Sequence, residues 1–183
     1  MRHTWLVTMS CLASFAGTVS AAMPNAKPGL WESASTTVLE VGLPPNVPNA
    51  AKMPPEERAK LERALAPGGG KPITTSERMC MSKETLDPWD SYGTGQGAAA
   101  DCKRTVLQQT PQRLRMALVC GGGKSTGEAE FTAVGSDRVV GKIMMLNKSE
   151  RGDNKLNVQT ESRWIGADCG NLKPGERANL GPR

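Results

Sequence analysis

The chain offers few residues with the types and spacing that catalysis requires. Its one histidine, His3, lies in an N-terminal stretch that we expect to be removed. Histidine-based triads and dyads and histidine-ligated zinc or haem are therefore excluded from the mature protein. Two carboxylate pairs remain, Glu128 with Glu130 and Asp87 with Asp90, and paired carboxylates can serve a hydrolase. Because alternating acids on a strand are usually a solvated face, we predict no catalytic residue and no enzyme; the alternative is a histidine-independent, carboxylate-based hydrolase.

Cysteine is the other residue type that could do chemistry. Cys11 falls in the stretch that we expect to be removed, which leaves Cys80, Cys102, Cys120 and Cys169. An even number in an exported chain argues for two disulfide bonds. None of the four forms a Cys-x-x-Cys pair, so we predict no redox motif, no metal site and no cofactor.

The cysteine pairing follows from a predicted hairpin. Two extended segments flank a tight turn at Pro111, and Cys102 and Cys120 lie nine residues on either side of it. Directly opposite residues of an antiparallel pair have β-carbons close enough for a disulfide. We therefore predict Cys102–Cys120 and, by exclusion, Cys80–Cys169.

The first 22 residues have the pattern of a secretory signal peptide. A short basic start precedes an apolar run over residues 5–19 and the small residues that end at Ala21 and Ala22. This order predicts cleavage near Ala21 or Ala22. The run is shorter and more polar than the ~20 apolar residues of a membrane-spanning helix, so an anchor is the lesser alternative. We expect no transmembrane segment in the mature chain.

The charge indicates no particular partner. The formal net charge of +5 is spread along the chain, which favours a solvated basic surface over loose contact with anionic, phosphate-rich envelope components. We predict no nucleic-acid partner.

The elements that position these residues are mostly strands. Alternation of polar and apolar residues predicts about seven strands, which span residues 28–41, 73–81, 101–110, 113–120, 128–134, 139–146 and 155–164. We predict a mainly β fold, either a strongly curved antiparallel sheet or a small up-and-down barrel, with one inserted α-helix.

The remaining segments complete a single disulfide-stapled domain over residues 23–170. Residues 42–72 form a Pro- and Gly-rich insertion, within which proline and two glutamates at the start predict a helix over residues 54–66. After Cys169 the chain shows no apolar periodicity, so we predict a disordered tail over residues 171–183.

Three short motifs resemble an uncharacterised bacterial family of exported proteins, known only as a domain of unknown function. They are Lys27-Pro28-Gly29-Leu30-Trp31-Glu32, Met53-Pro54-Pro55-Glu56-Glu57-Arg58 and Gly166-Ala167-Asp168-Cys169. The resemblance implies a bacterial protein that is periplasmic or secreted. It implies no reaction, cofactor or catalytic residue.

Gly29-Leu30-Trp31 also resembles the Gly-x-Trp opening of lipocalin-like barrels, in which a basic residue of the last strand lies over the tryptophan. The resemblance implies that Arg163 would take that part.

Function is predicted from architecture rather than from a motif. The β fold and the number of methionines suit an adaptable apolar surface. We predict a non-enzymatic binding protein for an apolar small molecule or lipid; the alternative is an interaction or structural domain that binds another cell-envelope protein. The residues predicted to line the binding face are Trp31, Met116, Leu118, Phe131, Met145, Val158 and Trp164.

Overall fold

The computed structural model describes residues 25–44, 46–83, 101–149 and 152–182. Within these ranges the chain forms eight strands and one α-helix. The strands are β1 (Gly29–Val41), β2 (Ile73–Met81), β3 (Cys102–Gln109), β4 (Arg113–Cys120), β5 (Ser125–Ala133), β6 (Arg138–Asn147), β7 (Asn154–Gly166) and β8 (Arg177–Pro182), and the helix is α1 (Pro55–Leu65).

All eight described strands belong to one antiparallel sheet, whose order is β3-β4-β5-β6-β7-β1-β2-β8. Strands β3 to β7 follow each other as in an up-and-down fold, and β7 then pairs with the opening strand β1. The sheet is curved but unclosed, because β3 and β8 stand at its two ends. The predicted mainly β fold is confirmed, and of the two predicted architectures the open curved sheet is the one found.

The inserted helix lies between β1 and β2 in the chain, where the sequence predicts it. Pro55 occupies the first helical turn together with Glu56 and Glu57, which suits the positive end of the helix dipole. Arg58 donates to Glu62 one turn later at 2.9 Å. No helix residue is buried, so α1 contributes little to the core.

The core lies on one face of the sheet. Trp31 is fully buried there, and it packs in a cluster with buried side chains from β2, β4, β5 and β6, namely Met79, Met81, Leu114, Met116, Ala129, Phe131 and Val139. The residue opposite Trp31 on β7 is Trp164, which is partly buried against the same cluster. The long opening strand therefore anchors one end of the fold.

The prediction of a disordered tail over residues 171–183 is wrong for the last strand. Residues 177–182 form β8, which pairs antiparallel with β2. Backbone hydrogen bonds connect Gly175 and Glu176 to Cys80, whose disulfide to Cys169 brings this segment alongside β2. An edge strand that is held by backbone pairing needs no apolar periodicity, so the sequence pattern missed it.

Candidate functional site: an apolar cavity in the curved sheet

The inner face of the sheet surrounds a cavity of about 460 Å³. Strand alternation places every second residue of β4 to β7 on this face. Cross-strand pairing then aligns Met116, Ala129, Ile143 and Val158 in one row. Leu118, Gly127, Met145 and Leu156 form the next row in the same way.

Small residues lie between the larger side chains of this face, and one of them, Gly141, belongs to the adjacent row with Phe131 and Thr160. A β-carbon on Gly141 would lie 2.7 Å from the ring of Phe131 and 2.6 Å from a methyl group of Thr160. Ala129, between Met116 and Ile143, adds only one methyl group to its row. Phe131 and Thr160 occupy the space beside Gly141, and the cavity lies within the curvature of the sheet.

Five of the seven residues predicted for the binding face line this cavity. They are Met116, Leu118, Phe131, Met145 and Val158. The other two, Trp31 and Trp164, lie on the same face at the end where the core is packed. Their indole N–H groups donate to the carbonyl oxygens of Lys27 and Pro28, at 2.9 and 3.0 Å.

Sequence reasoning missed the apolar lining residues Ala129, Ile143 and Leu156 and all the polar ones. Ile143 and Leu156 line the cavity, and the alternation of β6 and β7 was sufficient to find them. Ser33 and Ser162 also line it; their hydroxyl oxygens are 2.6 Å apart in a buried hydrogen bond. Only the pairing of β1 with β7, which connects distant parts of the chain, shows that these two serines meet.

Charged side chains lie where the two ends of the sheet approach the cavity. Arg104 on β3, Glu77 on β2 and Arg177 on β8 all line it. Arg177 Nη1 is 3.1 Å from Glu77 Oε1, and both side chains are about one third exposed, at 29% and 34%. The cavity therefore has a mostly apolar lining and a charged margin, which we define as Arg104, Glu77 and Arg177.

The opposite face of the sheet carries the carboxylate pair considered for catalysis. Glu128 is paired with Arg115 at 2.9 Å, and Glu130 with Arg113 at 2.8 Å. The hydrogen bond from Arg113 lowers the pKa of Glu130, an effect that burial of the carboxylate partly opposes. Both carboxylates thus stabilise a solvated strand surface by ion pairing. The other candidate pair, Asp87 and Asp90, lies outside the described residues.

Arg163 lies on this outer face as well. Its guanidinium contacts Glu161 at 2.8 Å, and the hydrogen bond that it donates lowers the pKa of Glu161. Arg163 is opposite Glu32, whereas Trp31 is opposite Trp164. The expectation that Arg163 lies over Trp31 is therefore wrong, because adjacent strand residues point to opposite faces.

A different basic residue lies over a tryptophan at this end of the fold. Lys27 Nζ is 5.1 Å from the centre of the Trp164 ring, within the range of a cation–π contact.

Two disulfide bonds connect the described strands, with the predicted pairing. Cys102–Cys120 joins directly opposite residues of β3 and β4 and lines the cavity, and Cys80–Cys169 ties β2 to the segment after β7. Such bonds fit an oxidising compartment outside the cytoplasm. Among the described residues, no three His, Cys, Asp or Glu side chains are grouped as metal ligands require. Within the same ranges no helix is long and apolar enough to cross a membrane.

A protein-family model matches residues 26–169, which include β1 to β7 and all four paired cysteines. The chain belongs to the DUF3617 family, described as proteins of unknown function. The predicted membership of a domain-of-unknown-function family is confirmed. In this DUF3617 protein, β8 and Arg177 lie beyond the matched range. No match was found among curated proteins or among solved structures.

Proposed function

We propose that this DUF3617 protein is a non-enzymatic binding protein for an apolar small molecule or lipid. The observation that carries the proposal is the cavity of about 460 Å³ inside the curved sheet. Ligand pockets of this kind are concave, mostly apolar and ~300–1,000 Å³ in volume. An apolar ligand would remove from water the half-buried side chains that now line the cavity, which is favourable by ~25 cal/mol per Å² of apolar surface.

We further propose that the protein is bacterial and acts in the periplasm or after secretion. The signal-peptide pattern that ends near Ala22 supports export. The two disulfides support an oxidising location. Export with its leader into a bacterial periplasm, followed by mass determination of the recovered protein, tests cleavage near Ala21 or Ala22 together with both disulfides.

The binding proposal is tested by titrating the purified, delipidated protein with the apolar dye N-phenyl-1-naphthylamine and recording its fluorescence. Adjacent residues of β6 provide a matched pair of variants. Ile143 lines the cavity, whereas Met144 is 59% exposed and faces the other side of the sheet.

We expect saturable dye binding by the wild type and by Met144→Gln, and at least about tenfold weaker binding by Ile143→Gln, since a polar amide would be placed against the ligand. Absence of saturable binding in the wild type, or an equal loss in both variants that keep the wild-type unfolding midpoint, would refute the proposal.

The alternative predicted from the sequence, contact with another envelope protein, is favoured by strand β3. Among the described strands β3 pairs with β4 alone, and Val106 and Leu107 on it are 45% and 51% exposed. An unpaired edge can accept a further strand. Photocrosslinking from position 107 in the periplasm, with position 65 on α1 as control, would recover one specific partner if this alternative holds.

A further inference from the structure

We infer that the ligand carries the carbonyl group of a ketone or an ester, whose oxygen accepts hydrogen bonds from the hydroxyl groups of Ser35 and Thr160. The inference rests on the binding function proposed above. It adds the polar group of the ligand and its orientation in the cavity.

Polar and apolar side chains line different parts of the cavity. Ser35 on β1 and Thr160 on β7 lie in one cross-strand row, and Ser33 and Ser162 lie in the next row toward the tryptophans. In the other direction along β7 the next lining residue is Val158, which belongs to the first of the apolar rows. Small-molecule sites combine an apolar lining with a few polar groups that fix the orientation of the ligand. The chain of a ligand would therefore lie along the apolar rows, with its polar group beside the hydroxyls.

The hydroxyl groups of Ser35 and Thr160 form an open pair. The two residues are directly opposite each other, and such residues of an antiparallel pair have β-carbons ~4.5–5.5 Å apart. Both are half-buried, and neither hydroxyl is hydrogen-bonded to any residue in the described part of the chain. In the adjacent pair, Ser33 and Ser162 are instead joined by a hydrogen bond of 2.6 Å. Of these two neighbouring pairs, the one beside the apolar rows is thus free to bind a ligand.

A carbonyl oxygen matches the open pair. Each hydroxyl can donate one hydrogen bond, and a carbonyl oxygen has two lone pairs that accept. One oxygen between the two side chains would therefore satisfy both donors, whereas an alkane would cover both hydroxyls without a partner, which is unfavourable. Glu77, opposite Ser33 on β2, is paired with Arg177, so the charges beside the open pair require no charged ligand.

Three probes with equal numbers of carbon atoms separate the carbonyl group from the chain: decane, 2-decanone and methyl nonanoate. Each is used to displace N-phenyl-1-naphthylamine from the delipidated protein. The measured quantity is the affinity of each carbonyl probe divided by that of decane. The probe whose ratio falls more in the variants below identifies the carbonyl group as that of a ketone or an ester.

Ser35→Ala and Thr160→Val each remove one donor, and the second variant also keeps the shape of the side chain. Each should lower the ratio about threefold to tenfold, which is the effect of one hydrogen bond. Neither should weaken the binding of decane, because decane accepts no hydrogen bond and no longer covers an unpaired hydroxyl. Thr132→Val is the control, since Thr132 lies opposite Arg113 on the outer face and its replacement should leave all three affinities unchanged.

The two proposals fail in different ways. If neither the dye nor any of the three probes binds to the wild type, the proposed function is wrong. If they bind but Ser35→Ala and Thr160→Val leave both ratios unchanged, or weaken decane as much as the carbonyl probes, the carbonyl site is wrong while the apolar binding site stands. Urea unfolding of each variant checks that the fold is retained, and either variant alone is sufficient for the test.

Discussion

Ser33 and Ser162 face each other across β1 and β7, with their hydroxyl oxygens 2.6 Å apart and both residues about 95% buried or more. They are 129 positions apart in the chain, so their bond marks the pairing of the opening strand with the strand that returns to it. On the inner face, this buried polar contact separates the packed tryptophan end of the fold from the open cavity.

Removing one hydroxyl should cost more than half the cost of removing both. Ser33→Ala leaves the buried Ser162 hydroxyl without its partner, which should reduce the free energy of unfolding by about 1–3 kcal/mol. The double variant Ser33→Ala/Ser162→Ala should lose less than the sum of the two single variants. Urea unfolding of all four proteins forms a double-mutant cycle, and additive losses would contradict a specific bond.

Thr36 and Thr74 provide the matched control. Their hydroxyl oxygens are 3.0 Å apart across β1 and β2, in a more accessible position. Because water can replace a lost partner there, Thr36→Ser and Thr36→Val should each change stability by less than Ser33→Ala.

The Cys102–Cys120 bond was predicted from the sequence, although it depends on a β-bulge that the sequence pattern does not show. The hydrogen bond from Thr110 to Arg113 closes a two-residue turn, which alone would place Cys102 opposite residue 121. A bulge between Val106 and Gln108 shifts the register by one residue, so Cys102 lies opposite Cys120. Reflection of the chain about Pro111 predicts the correct pair because the one-residue shift at the bulge centres the pairing beyond it on Pro111.

Features that depend on the pairing of strands distant in sequence could not be predicted from the sequence. Alternation within β4 to β7 predicts which side chains share the apolar face, since the strand period is local. The charged margin depends instead on β8, which has no apolar stripe and is held by its pairing with β2. No local pattern indicates that Arg177 and Met116 line the same cavity, or that the sheet stays open between β3 and β8.

The longer disulfide loop should contribute more to stability. On the chain-entropy model the bond that spans 18 positions is worth about 3 kcal/mol, and the bond that spans 89 is worth about 4.5 kcal/mol. We therefore expect Cys80→Ala/Cys169→Ala to lower the free energy of unfolding more than Cys102→Ala/Cys120→Ala. Urea unfolding under oxidising conditions measures both, and the reverse order would show that local strain or denatured-state structure outweighs loop length.

Acid should weaken the ion pairs of the outer face. Arg113 lowers the pKa of Glu130, and Arg163 lowers that of Glu161, from an ordinary value of 4.5. A carboxylate with a lowered folded-state pKa adds stability above its unfolded-state pKa and loses it as the pH falls through the folded-state value. The loss should therefore occur below about pH 4.5.

Glu130→Gln tests this dependence. The variant should be less stable than the wild type at pH 7 by about 0.2–1 kcal/mol, as for exposed ion pairs in general, and the difference should shrink as the pH falls toward 3. Urea midpoints across this range measure it. A difference that grows on acidification would contradict the assignment.

Trp31 and Trp164, which lie opposite each other on β1 and β7, should contribute unequally to the free energy of unfolding. Trp31 is fully buried, so Trp31→Ala should cost about 3–5 kcal/mol. Trp164 is only partly buried, so Trp164→Ala should cost less by at least about 1 kcal/mol. Urea unfolding compares the two, and an equal or larger cost at Trp164 would show that its contacts with Lys27 and Pro28 matter more than burial.

The surroundings of Gly29 explain why the Gly29-Leu30-Trp31 motif begins with glycine. Its φ is +133°, and a β-carbon there would overlap the carbonyl oxygen of Gly166 and lie 2.8 Å from the indole nitrogen of Trp164. The strand register is shifted at this point, between Leu30 and Trp31. Gly29→Ala should therefore destabilise the protein by about 1–3 kcal/mol, through backbone strain and displacement of β7.

The matched control for Gly29 is its neighbour Gly166, where an added β-carbon would meet nothing within 4 Å. Gly166→Ala should change stability by no more than about 0.5 kcal/mol. Near-UV circular dichroism and urea unfolding of both variants check this contrast. Equal effects would mean that the motif's glycine has no steric role, and that the contact of β1 with β7 tolerates a side chain at this position.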